Sequence, residues 1–523
     1  MRVLRACRDM GLASVAVYSE CDRASRHVRL ADEAYAIGSS APADSYLRID
    51  RLIDAARASG ADAVHPGYGF LAENEAFAAA CRDAGLTFIG PTPEAIALMG
   101  SKTAARRAAT KAGVPVVPGT EQPFGPDAPE SLIAEAAARI GYPVLVKAVA
   151  GGGGKGMRLV AGPEDLSSAV RAARSEGAAA FGDPAIYLER RLLRPRHVEV
   201  QLLGDLHGHV LPFVERECSI QRRHQKVIEE TPSPAVSAAL RAQITGAAAA
   251  VARSVGYTSA GTIEFLLDED GRFFFLEMNT RLQVEHPISE MVTGVDLVQW
   301  QVRIARGESL DLDPAVAATP QGHAIECRIY AEDPDAGFMP SPGRITALRP
   351  PGGPWIRDDS GAEPGGEVPI FYDPLISKLS AWGPDRPQAI ARMKRALREY
   401  EVLGIRTTVP FFRWMLDQPA FETATFHTGS LDELLQQRQG EPFVTPDGEE
   451  QEVGAIAAAL HAFARVGADS TATVRLKPDT TYEYDPPQYV VSGFSRTASV
   501  VSGFSRTANT GWKRQARLEG LRA

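Results

Sequence analysis

The sequence predicts an α/β fold over its first hundred residues and α+β architecture beyond. Three observations carry that prediction. Helix-like and strand-like runs alternate up to about residue 100. A run of four glycines, Gly151–Gly154, joins two strand-like segments rather than a strand and a helix. The stretch "GTIEFLLDEDGRFFFLEMNTRLQVEHP", residues 261–287, reads as two apolar strands around the turn "EDG".

The chain opens on a helix, "MRVLRACRDMG", leading into a buried strand, "LASVAVYS". A second helix, "SYLRIDRLIDAARASG", stops at Gly60, and "ADAVHPGYGF" is a strand running into a Gly/Pro loop. The helix "AFAAACRDAG" and the strand "LTFIGPTP" complete the alternation, which predicts a parallel sheet covered by helices. "SKTAARRAATKAGVPVVPG" is a helix stopped by Gly113 and Pro115, a natural domain junction. Residues 120–310 are richer in strands, and 320–430 form a further α+β region. Beyond about 435 lie an acidic spacer, the helix-like "VGAIAAALHAFARVG" and a duplicated tract, "VVSGFSRTAS" then "VVSGFSRTAN". Two short polar copies cannot stack into a solenoid, so 466–510 is expected to be low-complexity insertion.

Length and composition bound the function. At 523 residues the chain has room for about three domains. A net charge of −9 argues against a general nucleic-acid-binding surface. Five scattered cysteines, with no C-x-x-C pair, signal neither a disulfide framework nor a zinc site and suit a reducing cytoplasm. No apolar run reaches the ~18 residues of a membrane span.

The glycine run contains G-x-G-x-x-G, from Gly151 to Gly156, but a strand-like "MRLV" follows it. A dinucleotide site needs a helix there, and a Walker A loop needs G-K-[ST]. A flap whose backbone N–H groups fold over phosphates remains. Lys147, at the foot of the flap, is placed to meet the same phosphates.

Register supplies a metal site. If Asp268 opposes Phe273, Glu264 falls opposite Glu277, with Cβ atoms about 5 Å apart. Two bare carboxylates that close repel by roughly 3 kcal/mol at an effective dielectric of 20, so a cation or a proton is expected between them. Strand parity adds Asn279, and the three are hard oxygen ligands for Mg²⁺ or Mn²⁺. If the backbone stays extended to Pro287, Arg281, Gln283 and Glu285 share that face as a substrate track. "ERECSIQRRHQKVIEETP", 215–232, adds a basic patch that includes Gln221, Arg222, Arg223, His224 and Lys226.

These strings, together with "HPGYGFLAEN", "MGSK", "GYPVLVKAVAGGGGKGMR", "RHVEVQLLGD", "GHAIECRIYAEDP" and "MPSPGRI", closely resemble biotin carboxylase over roughly residues 1–430. The resemblance implies an ATP-grasp fold with a Rossmann-like N-terminal domain (1–100), an ATP-grasp domain with a glycine lid (101–310) and a biotin carboxylase C-terminal domain (318–430), followed by a tail (436–523). It implies ATP-dependent carboxylation of biotin from bicarbonate through carboxyphosphate. The alternatives are another ATP-grasp carbon–nitrogen ligase, such as a carbamoyl-phosphate-forming enzyme, or an inactive subunit. By the same resemblance Lys102, Lys147, Gly151, Gly152, Gly153, Gly154 and Gly156 would hold ATP phosphates. Glu189, Leu192 and His197 would border the adenine, and Gln221 and His224 would contact the nucleotide. Glu264, Glu277 and Asn279 would bind Mg²⁺. Lys226, Arg281, Gln283 and Val284 would hold bicarbonate, with Glu285 as its base, and Arg328 would stabilise the biotin enolate. Family members begin with one more strand and an "N-R-G-E-I-A" turn, so Met1 is expected to fall inside the first helix. No "A-M-K-M" biotin attachment site occurs, so the implied partners are a separate biotin carboxyl carrier protein, carboxyltransferase subunits and a second copy of the chain.

Overall fold

The computed structural model describes residues 1–149, 157–444 and 448–468. The glycine run 151–156 and the duplicated tract lie outside the described residues. The chain divides into two units, Met1–Thr445 and Pro446–Ala523. In the second, the alanine-rich helix expected near 453–467 spans Gly448–Ala468.

The N-terminal alternation forms as expected, but not as one parallel sheet. Strands β1 (Val15–Ser19) and β2 (Glu33–Gly38) pair in parallel, and β3 (Ala63–Val64) and β4 (Thr87–Phe88) form a separate parallel pair. Between them lies a largely apolar cavity of about 170 Å³ lined by Val15, Val17, Ala63, Val64 and Phe77 among others. The predicted helices are Arg2–Asp9, Ile49–Ser59, Glu75–Asp83 and Lys102–Lys111. Gly60 ends the second in the left-handed conformation that glycine adopts without a Cβ clash.

The segments flanking the glycine run are a hairpin, as their sequence implied. β5 (Val144–Ala148) pairs antiparallel with β6 (Met157–Val160), and Lys147 sits opposite Met157. β7 (Ile186–Arg190) closes this three-stranded sheet on the other side of β5.

The site is built on an eight-stranded sheet. In chain order its strands are β8 (Arg196–Gly204), β9 (Val210–Arg222), β10 (Gln225–Thr231), β11 (Ser259–Leu267), β12 (Phe273–Asn279), β13 (His323–Tyr330), β14 (Ile356–Ser360) and β15 (Leu375–Gly383). Their spatial order is β12-β11-β8-β9-β10-β13-β15-β14. The antiparallel pairing of β10 with β13 carries the sheet through the boundary expected near residue 318. One core packs the helix Ala238–Ser254 against β8, β11 and β12 through Val198, Val200, Ile244, Val251 and Phe265. A second packs the helix Arg386–Glu399 under β13 and β15 through Ile325, Leu379, Met393 and Leu397. Completely buried Val, Leu, Ile and Phe side chains each contribute about 1.5–3 kcal/mol, so this sheet is a rigid platform.

Candidate functional site

A row of charged residues crosses four strands of that platform. Arg216 on β9 pairs with Glu199 on β8, Glu199 with Glu264 on β11, and Glu264 with Glu277 on β12. The Glu264–Glu277 opposition was expected, but its premise differs. Leu267, not Asp268, opposes Phe273, and a β-bulge between Glu264 and Phe265 restores the pairing. A bulge inserts one unpaired residue and so resets the register by one.

Lys226 at the start of β10 reaches over this row. Its Nζ donates to Glu264 Oε1 at 2.7 Å, to Glu285 Oε1 at 2.8 Å and to Glu199. Burial disfavours its charge, but Glu199, Glu264 and Glu285 outweigh burial and hold the ammonium well above its usual range. Glu264 is the hub. It also accepts from Asn279 Nδ2 at 2.8 Å and Gln283 Nε2 at 2.9 Å. His197 Nε2 lies 3.0 Å from Glu264 Oε2 as an ion-pair contact rather than an aligned hydrogen bond. Gln221 Nε2 lies 2.8 Å from His197 Nδ1 and leaves Nε2 to face Glu264. Burial opposes ionisation of Glu264, yet Lys226 and then His197 keep its carboxyl well below the ordinary range.

Glu285 bridges two cations. Lys226 occupies its Oε1, and Arg328 Nη2 donates to its Oε2 at 3.0 Å. Burial would raise its carboxyl, but Lys226, Arg328 and Arg216 hold it well below the usual carboxylate value. Arg328 is itself fixed by Glu229, which accepts from Nε at 2.6 Å. The Val284 carbonyl accepts from Lys378 Nζ at 2.9 Å.

The extended track expected through Pro287 is not the route by which these residues meet. β12 ends at Asn279, residues 280–285 turn, and the helix His286–Thr293 begins with Pro287 in its first turn. Proline fixes φ near the helical value and favours this early position, so the helix starts there instead of the strand continuing. The turn still delivers Gln283 and Glu285 inward. Arg281 instead donates to Glu73 Oε2 at 2.9 Å and to Asn279 Oδ1 at 3.1 Å.

Of the nucleotide residues expected from sequence, Lys147 and Glu189 form a second cluster, while His197 and Gln221 belong to the first. Glu189 on β7 is buried between Lys147 and Arg106, whose Nη1 lies 2.5 Å from Glu189 Oε1. Lys102 opens the helix Lys102–Lys111. Burial holds its ammonium below the usual lysine range, partly offset by the charge of Glu277 and reinforced by that of Lys147. Leu192 lies half-buried just beyond β7. His224 is at the exposed tip of the β9–β10 hairpin, where Arg223 and His224 both take positive φ, away from the Lys226 cage.

Besides Arg106 and Lys378, four further residues of the site were not anticipated from sequence. Arg216, fully buried, donates to Glu199, Gln201, Ser289, Thr262 and Gln283, the last at 2.6 Å. By occupying Gln283 Oε1 it turns the Gln283 amide nitrogen toward Glu264. Glu199, Glu229 and Glu73 fix Lys226, Arg328 and Arg281. The alternation in "FVERECSIQ" separates Arg216 and Cys218 from Glu215 and Glu217, which was the available signal.

Two close sets of possible ligands, His197–Glu199–Glu264 and Glu199–Cys218–Glu285, are already balanced by Lys226 and Arg216. Glu264, Glu277 and Asn279 are the set that could hold a cation: Glu277 opposes Glu264 across the two strands, and Asn279 touches Glu264. The Glu277 carboxyl is pushed up by desolvation and then by the charge of Glu264. Carboxylates that repel and offer only oxygen donors match a hard divalent ion.

Comparison with known proteins identifies the family of the chain. Residues 1–96 match the biotin carboxylase N-terminal domain, 101–313 the carbamoyl-phosphate synthase L chain ATP-binding domain, and 326–433 the biotin carboxylase C-terminal domain. The chain is 52% identical over 434 residues to a biotin carboxylase of Nostoc, covering 83% of this chain and 96% of that one. It is 52% identical over 433 residues to a pyruvate carboxylase subunit of Methanothermobacter thermautotrophicus, covering 83% and 87%. A Campylobacter jejuni biotin carboxylase solved as a β-γ-ATP complex matches with a TM-score of 0.79 and 44% identity, over 83% of this chain and 96% of that one. The biotin carboxylase domain dimer of Hydrogenobacter thermophilus 2-oxoglutarate carboxylase, solved with MgADP and bicarbonate, matches with a TM-score of 0.80 and 44% identity, over 85% and 96%. The middle match is shared with carbamoyl-phosphate synthases, but both flanking matches are specific, and the carbamoyl-phosphate alternative is not favoured. A chain with this ATP-grasp site and these relatives on both sides of it belongs to the biotin carboxylase family of ATP-dependent ligases.

Proposed function

We propose that the chain uses ATP and bicarbonate to carboxylate biotin presented by a separate carrier protein, the first half-reaction of an acyl-CoA or pyruvate carboxylase. One observation carries the assignment of roles: a single carboxylate, Glu285, held between Lys226 and Arg328, one oxygen to each. Bicarbonate is a poor nucleophile until its hydroxyl proton is taken. Glu285 is ionised at neutral pH and so is ready to accept that proton. Lys226 contacts Glu285 directly, and together with Arg281, Gln283 and Val284 it would hold the bicarbonate anion. The bicarbonate oxygen then attacks the γ-phosphorus, ADP departs, and carboxyphosphate forms. Its breakdown gives CO₂ and phosphate. The released phosphate would take the ureido proton of biotin, whose nitrogen then bonds the CO₂ carbon, while Arg328 would offset the charge on the ureido oxygen.

Lys102 and Lys147 would neutralise the transferring phosphates, with Gly151–Gly154 and Gly156 excluding water above them. Lys147 is held by Glu189, and nucleotide binding would draw it toward the phosphates. Glu264, Glu277 and Asn279 would hold Mg²⁺, which would offset the negative charge of the phosphates. His197 and Gln221 support Glu264, a role that stands beside their expected contact with the nucleotide. The domain limits at 1–100, 101–310, 318–430 and 436–523 serve as a working division of the chain.

Among the described residues no helix is long and apolar enough to cross a membrane. A cytoplasmic location, a homodimer and carboxyltransferase partners complete the reading. The deciding experiment measures bicarbonate-dependent ATP hydrolysis with and without free biotin. Stimulation by biotin supports this function. Ammonia-dependent turnover would replace it with carbamoyl-phosphate chemistry, and no turnover would leave an inactive subunit.

A further inference from the structure

Next to Arg328 lies a pair of carboxyl groups to which the mechanism above gives no joint role. Glu229 on β10 and Glu326 on β13 are directly opposed in the antiparallel ladder, and both are 0% exposed. Glu229 Oε1 accepts from Arg328 Nε at 2.6 Å, and Glu326 Oε2 accepts from Ser380 Oγ at 2.9 Å. Each keeps one buried oxygen without a donor: Oε2 of Glu229 and Oε1 of Glu326. Two ionised carboxylates in this position would repel and would leave two acceptors unsatisfied in a dry ladder. The nearby cations do not remedy this. Arg328 already serves Glu229 and Glu285, Lys226 serves Glu199, Glu264 and Glu285, and Lys378 donates to the Val284 carbonyl. One proton between the two glutamates removes both problems.

We propose that Glu229 and Glu326 share a single proton and act as one positioning unit for Arg328. Ionised Glu229 fixes the guanidinium through Nε, and protonated Glu326 donates its O–H to the free oxygen of Glu229. Protonation equilibria agree with the geometry. Burial pushes Glu229 up to about 7 against the pull of Arg328 and Lys226, with Glu285 adding to the rise. Burial likewise pushes Glu326 up to about 8 against Lys378 and Arg328, with Glu229 adding to the rise. Losing the shared proton adds a negative charge behind Arg328 and draws the guanidinium away from Glu285 and from biotin. Carboxylation therefore falls on the alkaline side. The inference rests on the reading that Arg328 faces biotin.

The test is the pH dependence of kcat for carboxylation of free biotin in the full chain. Glu326→Gln donates to Glu229 at every pH, so its alkaline limb moves up by at least about one pH unit. Glu229→Gln strips Arg328 of a charged partner and lowers kcat about tenfold or more, with KM for ATP unchanged and partial rescue by Glu229→Asp. Infrared spectroscopy of the unmodified chain at neutral pH shows a protonated-carboxyl band that Glu326→Gln removes. An unshifted alkaline limb overturns the proposal, as does the absence of that band from the unmodified chain. The band decides if Glu326→Gln fails to fold. Arg328→Ala, run in parallel, separates the two readings. If it leaves biotin carboxylation intact, the role of Arg328 is wrong. If it abolishes carboxylation while Glu326→Gln keeps the original limb, only the shared proton is wrong.

Discussion

Glu264 and Glu277 face each other across β11 and β12, with a bulge one residue away holding them in register. Their carboxyls are shifted in opposite directions, Glu264 down and Glu277 up. Glu264 is surrounded by Lys226, His197, Asn279 and Gln283, whereas the Glu277 carboxyl is raised by desolvation and by the charge of Glu264. The pair is asymmetric before any ion arrives.

Replacing Glu277 with Gln should therefore act in opposite directions on the metal-free and metal-bound protein. A carboxyl raised in the folded state binds more protons than in the unfolded chain. Its presence thus lowers stability as pH rises through the window above the unfolded value of about 4.3. Glu277→Gln should raise the metal-free melting temperature slightly at neutral pH. It should also weaken Mg²⁺-dependent nucleotide binding by about tenfold or more, since even outer partners of a metal are worth about that much. Thermal melts with and without Mg²⁺ check both arms; equal Mg²⁺ stabilisation in variant and parent would refute the site.

Glu285→Gln should abolish carboxylation while leaving nucleotide affinity nearly intact, because its contacts are Lys226 and Arg328 rather than the Lys147 cluster. The substitution also has a stability signature. A depressed carboxyl gives stability that is present above the unfolded value near 4.3 and is lost as pH falls through the folded value. Glu285→Gln should flatten the acid side of the stability curve by about one proton. Denaturant titrations below pH 5 measure that slope, and calorimetric ATP binding measures the affinity. A lost ATP affinity would contradict the assignment of Glu285 as bicarbonate base.

Much of this site could be read before the fold, and the parts that could not have physical causes. The Glu264–Glu277 pairing followed from alternation on two strands joined by a short turn. The bulge did not, because "FFFLE" is apolar throughout its first four residues and gives alternation nothing to mark a skipped residue. The extended run to Pro287 failed where Pro287 and Gly294 together begin and end a helix, signals that outweigh polar alternation. Lys226 and Glu285 stood out in the sequence as part of a basic patch and of a polar track, but their contact with each other was not legible, since Lys226 meets its partners more than 25 residues away. Arg216 was hidden in a similar way. Alternation in "FVERECSIQ" gives its face but not its partners, which are spread over β8, β11 and two later segments. In the N-terminal region the helices were legible from periodicity and their glycine stops. The split of the strands into two parallel pairs was not, because pairing is set by tertiary contacts.

Lys147→Gln should chiefly raise KM for ATP. The lysine is at the end of β5 nearest the glycine run and is held by Glu189, which Arg106 also grips. Arg106 remains to compensate Glu189 in the variant, so folding should survive with a small loss of stability. The bicarbonate KM should stay near the parent value because the Lys147 ion pair is with Glu189, outside the Lys226–Glu285 cage. Steady-state kinetics with each substrate varied in turn test this; an unchanged ATP KM would contradict the assignment.

Arg216→Lys separates positioning from charge. Lysine keeps one positive charge beside Glu199 but cannot reproduce a planar fork that reaches Gln201, Ser289, Thr262 and Gln283 together. Gln283 would lose the donor that fixes its amide, so its nitrogen would no longer be held toward Glu264. Buried oxygens left without partners cost about 1–3 kcal/mol each, so the variant should be destabilised by several kcal/mol. The readout that distinguishes positioning from simple loss of fold is kinetic. In the folded fraction KM for bicarbonate should rise by about tenfold, the worth of one charge-assisted hydrogen bond, while KM for ATP stays constant. Active-site titration of the folded fraction, followed by initial rates at varied bicarbonate, gives that number. If both Michaelis constants are unchanged once inactive protein is discounted, Arg216 serves the sheet alone and Gln283 is oriented by something else.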